Sequence, residues 1–272
     1  MRGHQSVLAH GQVISFPMPS GRSARPAPSN MAVSFDKVSF GYQDTGHPIL
    51  RDVSFDIPAG RMVALTGHAG AGKRSCARLL QRLWDVESGS VRVGGVDIRD
   101  LPPAVVRDLV AVVPRTCRLP HELVRDLFRL ARPGAAAAEI EDAARLAQVH
   151  ETILRLPQGY DTPASVWAGL LTAGERQRLA LACAVLGRAP ILILDETVAG
   201  QGTDDEAAWT AAVARVRHGR TVLLIGQRLE TVKLADWIVV LEQGTVVEEG
   251  RHDHLVAWKD RYTRLIATHT LT

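Results

Sequence analysis

From "AVSFDKVSF" (32–40) onward the chain alternates apolar and polar positions with period two, the spacing at which a strand buries one face and wets the other. Short β-rich runs follow at "RMVALTG" (61–67), "VRVGG" (91–95) and "LVAVVP" (109–114), bounded by Gly, Pro and polar residues. The pattern then changes period. Between roughly 121 and 186 the chain is rich in Ala and Leu, and "AAEIEDAARLAQVHETILRL" (137–156) and "AGERQRLALACAVLG" (173–187) repeat at helical spacing. Strand-like runs return at "ILILDE" (191–196), "TVLLIG" (221–226) and "WIVVLEQGTVVEEG" (237–250). Strands interleaved with helices predict an α/β core with a mixed, largely parallel sheet, interrupted by an inserted α-helical subdomain.

Residues 17–30, "PMPSGRSARPAPSN", follow neither period and are rich in Pro, Ser and Gly. We expect residues 1–30 to be a disordered N-terminal extension and not a signal peptide, since no continuous apolar segment is present. Met31 stands where folded-looking sequence begins, so a misplaced start codon is a plain account of the tail. The folded unit is expected over 31–272, with a core at about 31–118 and 187–272 and the helical subdomain at about 119–186. No internal repeat is evident.

Composition narrows the classes. The chain has 272 residues, 46% of them hydrophobic and 22% charged, enough to bury a core. The net charge of +3 is spread over 32 basic and 29 acidic residues with no long block of either sign, so charge argues for no nucleic-acid partner. Cys76, Cys117 and Cys183 form no CxxC pair, which suggests neither a zinc site nor a disulfide framework and fits a reducing setting. The longest apolar run, "LALACAVL" (179–186), falls well short of the ~18 residues of a membrane span.

Three stretches carry chemistry. "GHAGAGKRS" (67–75) lies between a strand and the helical "KRSCARLLQRLW" (73–84), the setting of a phosphate-binding loop. Gly67, Gly70 and Gly72 let backbone N–H groups turn toward an anion around His68, Ala69 and Ala71, while the helix start and Lys73 add positive charge. A glycine-rich turn with an incidental lysine is the lesser alternative, kept open because Arg74 breaks the pattern where a hydroxyl belongs. In "ILILDE" a buried strand ends in Asp195 and Glu196. Beside the loop, Asp195 could hold a magnesium ion through water and Glu196 could orient or deprotonate an attacking water. A solvated acidic turn is the alternative. "LTAGERQR" (171–178) holds a capping box, Thr172 with Glu175, which starts a helix. With Leu171 before it and the small Ala173 and Gly174 at its N-terminus, the same helix start is an anion site able to approach a phosphate held by another subunit.

The order of these three stretches, with a helical segment between the first two, resembles the nucleotide-binding domain of ABC transporters over nearly all of residues 32–267. "FGY" (40–42), "LPQGYDT" (156–162) and "ADWIVVLEQGTVVEEGRHDHL" (235–255) look most like the exporter branch. The resemblance implies a P-loop NTPase core of the RecA-like type and ATP as ligand. It also implies a cytoplasmic, membrane-peripheral location, with a membrane-spanning domain on another chain. A second nucleotide-binding domain, identical or different, is expected to meet this one head to tail. Tyr42 matches the aromatic that stacks on adenine, Lys73 the phosphate lysine, Asp195 the metal-site aspartate and Glu196 the catalytic glutamate.

Several matched positions depart from the family. Arg74 replaces the Ser or Thr that ligates magnesium, and Ser75 cannot stand in, because one helical step turns the side chain by roughly 100°. Arg115 replaces a glutamine that also reaches the metal. Gln227 replaces the switch histidine; its amide can bond a γ-phosphate but takes up no proton. Gly202 replaces an aspartate, Thr172-Ala173 a Ser-Gly pair, Val166 a glutamate facing the membrane domain, and Cys183 an arginine. Two guanidinium groups bring about the +2 charge of a magnesium ion, so the expectation is ATP held partly by arginine, a weakened role for Mg2+, an arginine paired to Asp195, and slow hydrolysis. Loss concentrated at positions 74, 115 and 227 favours a heterodimer with one weakened site; a homodimeric slow ATPase is the alternative. A regulatory ATP-binding module with no transport role, and a reading frame decayed from a larger exporter, are the rivals outside that reading.

Overall fold

The computed structural model of the chain describes residues 7–9, 12–14, 27–43, 46–116, 123–196 and 203–270. Within the N-terminal stretch, β1 (Val7–Ala9) and β2 (Gln12–Ile14) pair antiparallel. Two larger sheets follow. One is antiparallel and joins β3 (Val33–Phe40), β4 (Leu50–Ile57), β6 (Ser88–Val93) and β7 (Val96–Asp97) in the order β4-β3-β6-β7. The other joins β5 (Met62–Thr66), β8 (Val110–Val113), β9 (Ile191–Asp195), β10 (Thr221–Ile225), β11 (Trp237–Glu242) and β12 (Thr245–Gly250) in the order β12-β11-β5-β10-β9-β8. Every pairing in this second sheet is parallel except that of β11 with β12. The fold is thus α/β with a mixed, largely parallel sheet.

The central strands β5, β9 and β10 are dry on both faces, which is why they read as unbroken apolar runs. Met62, Ala64, Leu192, Leu194, Val222 and Leu224 join one core, whereas Val63, Leu65, Ile191, Ile193, Leu223 and Ile225 join the other. The first core is closed by helices. These include α3 (Val124–Ala131), α4 (Ala137–Leu146), α5 (His150–Leu154), α6 (Ala164–Leu170), α7 (Ala173–Leu186) and α8 (Thr203–Val216). The second core is closed by the antiparallel sheet, by α1 (Lys73–Leu80) and by α2 (Pro103–Leu109). Three short helices, α9 (Leu229–Val232), α10 (His252–Trp258) and α11 (Arg261–Thr270), complete the chain.

Two predicted helices are shorter than their patterns. The stripe from 137 to 156 breaks into α4 and α5, because Gln148 takes φ +56° and the turn buries Ala147 and Val149 completely. The helix expected to run to Trp84 ends at Leu80, with Arg82 at φ +53° and Leu83 exposed. Trp167, 1% exposed, anchors α6 directly ahead of the capped start of α7.

Candidate functional site

Parallel strands β5, β9 and β10 end side by side, so the loop after β5 and the residues after β9 and β10 converge at one edge of the sheet. That edge holds a cleft of about 1150 Å3. Its walls are Tyr42, loop residues Ala69 to Ser75, Arg115, Asp195, Glu196 and Gln227. Gly67 and His68 complete the loop from β5. Gly67, Gly70 and Gly72 all have positive φ, at +142°, +79° and +101°. For Gly67 the space is equally decisive: a Cβ there would lie 2.0 Å from the Leu241 carbonyl oxygen.

Lys73 and Arg74 are already engaged. Lys73 Nζ donates to the carbonyls of Gly67 at 2.5 Å and His68 at 2.8 Å. Burial, reinforced by the neighbouring Arg74, lowers its pKa to about 8 despite the pull of Asp195. Gln227 Nε2 also donates to the Gly67 carbonyl. Arg74 Nε donates to Asp195 Oδ2 at 2.7 Å, with the two side chains 51% and 15% exposed. Arg115, partly buried, makes no ion pair or side-chain hydrogen bond among the described residues. Ser75 is buried and faces Tyr42, their hydroxyl oxygens 3.2 Å apart. The Tyr42 hydroxyl also accepts from Arg78 at 2.9 Å, and its ring sits edge-on to Phe40 and Trp84.

Glu196 is 5% exposed. Its Oε1 accepts from the Trp209 indole at 2.9 Å, while Oε2 is buried without a well-formed hydrogen bond, and Thr231 and Arg228 lie close enough to favour the charged carboxylate. Burial pushes this carboxyl above its ordinary range. Trp209 escaped the sequence reading, since nothing in a helical apolar position signals that its N–H will meet a strand-end glutamate.

The "LTAGERQR" stretch lies elsewhere. Leu171 is buried, Ala173 is exposed, Gly174 is buried, and the capping box forms as read. Glu175 N–H donates to Thr172 Oγ1 at 3.0 Å and Thr172 N–H to Glu175 Oε2 at 2.9 Å. Thr172 Oγ1 donates in turn to Asp205 Oδ2 at 2.8 Å, and Asp205 pairs with the buried Arg178 at 2.9 Å. Thr172, Ala173 and Glu175 line a second, separate cleft, so one chain does not bring them to its own loop. Val166 is 39% exposed on α6, and Cys183 lies part-buried in an adjoining groove with Arg107 and Arg115. Gly202 lies outside the described residues, as do residues 117–122.

Comparison with known proteins fits this geometry. The family model described as ABC transporter matches residues 50–199. Over 233 residues the chain is 45% identical to the mycobactin import ATP-binding/permease protein IrtA of Mycobacterium tuberculosis, covering 86% of this chain and 27% of that protein. It is 40% identical over 233 residues to the ATP-dependent lipid A-core flippase of Syntrophus aciditrophicus, covering 86% and 38% respectively. Among solved structures, a bacterial Atm1-family ABC exporter with ATP bound matches with a TM-score of 0.84 at 34% identity, over 92% of this chain and 44% of that one. The chain therefore spans less than half the length of each of these relatives.

Proposed function

The chain belongs to the ABC transporter family, as an ATP-binding domain of the exporter type, and from that premise we propose that it holds ATP partly through its own arginines and hydrolyses it slowly. It does so beside a membrane-spanning partner, on the cytoplasmic face of the membrane, with its α7 N-terminus turned toward the loop of a second ATP-binding domain. Among the described residues no helix is long and apolar enough to cross a membrane, so the spanning part is assigned to another segment or chain.

The observation that carries the reading is the 2.7 Å pair between Arg74 and Asp195. Asp195 faces a guanidinium, and Arg74 and Arg115 offer donors only, so these side chains do not suit direct coordination of a dication. They suit phosphate oxygens instead, which guanidinium groups bind through charge-assisted hydrogen bonds. The roles follow from position. Loop amides and the start of α1 receive the phosphates, Lys73, Arg74 and Arg115 neutralise them, and Gln227 bonds the terminal one. Glu196 is assigned the role of base toward water. Without a metal to spread developing charge, turnover is slow.

The test is a titration of the purified chain with a fluorescent ATP analogue, once with magnesium and once with EDTA, alongside phosphate release. Comparable affinity in both and slow release are expected. Vigorous magnesium-dependent hydrolysis that Glu196→Gln abolishes would refute the proposal. Co-purification with a membrane protein separates the transport role from a purely regulatory one.

A further inference from the structure

The Glu196 carboxyl lies in the wall of the phosphate cleft with its Oε2 turned into the protein. Strand pairing sets Asp195 opposite Ile225, and the Glu196 N–H donates to the Ile225 carbonyl at 2.9 Å, which brings Glu196 against Gly226. A Cβ on Gly226 would lie 2.0 Å from Glu196 Oε2 and 2.8 Å from Cδ. Gly226 is not among the glycines with positive φ, so its backbone does not require glycine. What the missing side chain provides is room. The other carboxylate oxygen is bonded to Trp209, itself 2% exposed on α8. An oxygen sealed from solvent cannot accept a proton from water, because a base must come within about 2.6–3.2 Å of the water oxygen whose proton it takes.

We propose that Trp209 and Gly226 form a seat that holds the Glu196 carboxyl back from the nucleotide, and that Glu196 works as a base only after leaving it. Trp209 is thus a positioning residue and Gly226 the space it works with. The proposal rests on the reading of Glu196 as the hydrolytic base. Emptying the seat requires the Trp209 bond to break, the contacts with Thr231 and Arg228 to loosen, and the side chain to swing toward Gln227 and Lys73, which line the same cleft. A seat of this kind retains the glutamate while keeping hydrolysis slow.

The experiment uses the full chain with Trp209→Phe, which keeps a ring and removes the donor, and Gly226→Ala, which fills the seat. Each is expected to raise kcat for ATP about tenfold, equivalent to roughly 1.4 kcal/mol, with nucleotide affinity unchanged. The indole N–H resonance of Trp209, identified by its loss in Trp209→Phe, is expected to move in Gly226→Ala and in Glu196→Ala, a signature that follows the bond and not general stability. An unmoved indole resonance overturns the seat whatever the rates. A moved resonance with kcat unchanged in both variants overturns its control of turnover. Turnover insensitive to Glu196→Gln, with the resonance still moving, instead overturns the underlying assignment of Glu196 as base, and the control of turnover with it.

Discussion

Replacing Arg74 by Ser tests whether charge from arginine stands where a metal would. Arg74 is tied to Asp195 at 2.7 Å, but its side chain is 51% exposed, so the pair is screened and contributes only about 0.2–1 kcal/mol. A charge-assisted hydrogen bond from the same guanidinium to phosphate contributes about 1.5–3 kcal/mol. The difference, on the order of 1–2 kcal/mol, is what the arginine adds to nucleotide affinity after releasing Asp195. Arg74→Ser should therefore weaken binding of a fluorescent ATP analogue in EDTA by about 5- to 30-fold. With magnesium the outcome reverses, because the new hydroxyl is an oxygen ligand and Asp195 has lost its competing partner. Affinity should then return to near that of the unaltered chain. The quantity to read is the ratio of Kd in EDTA to Kd in magnesium: near one for the native chain and well above it for the variant. A native chain that already needs magnesium, with a ratio that Arg74→Ser leaves unchanged, would refute the reasoning.

Three further outcomes follow from the geometry. Because the Lys73 pKa is lowered to about 8, the loop loses its ammonium as pH rises, and ATP affinity should fall roughly tenfold between pH 8 and 9.5; Lys73→Met should bind weakly at every pH, and a flat profile for the native lysine would contradict this. Asp205→Ala strands the buried Arg178 and should cost about 3–5 kcal/mol in urea unfolding, whereas Arg178→Met/Asp205→Ala should be less destabilised than the single change; a double variant that loses more would show that the pair is not the source. Gly67→Ala should abolish nucleotide binding, since its Cβ would meet the Leu241 carbonyl at 2.0 Å and its φ of +142° disfavours a side chain; retained affinity would mean that the loop can shift without loss.

By itself the sequence determined the local features of this protein. Short apolar runs announced the core strands, the glycine spacing of 67–75 announced a loop whose N–H groups can turn toward an anion, and Thr172 with Glu175 announced the start of α7. Each depends on a few neighbouring residues, through side-chain alternation, backbone sterics and unpaired N–H groups at a helix end. The tertiary structure decided which side chains meet. It turned Ser75 to Tyr42, made Arg74 the arginine that meets Asp195 across 121 positions of chain, as the family resemblance leads one to expect of one of the two, and set Glu196 between Gly226 and Trp209. It also kept Thr172 away from this chain's own loop, engaged with Asp205. Such pairings follow from strand order and from which face each helix presents. Those are set by packing the whole sheet, and no short window of sequence contains them.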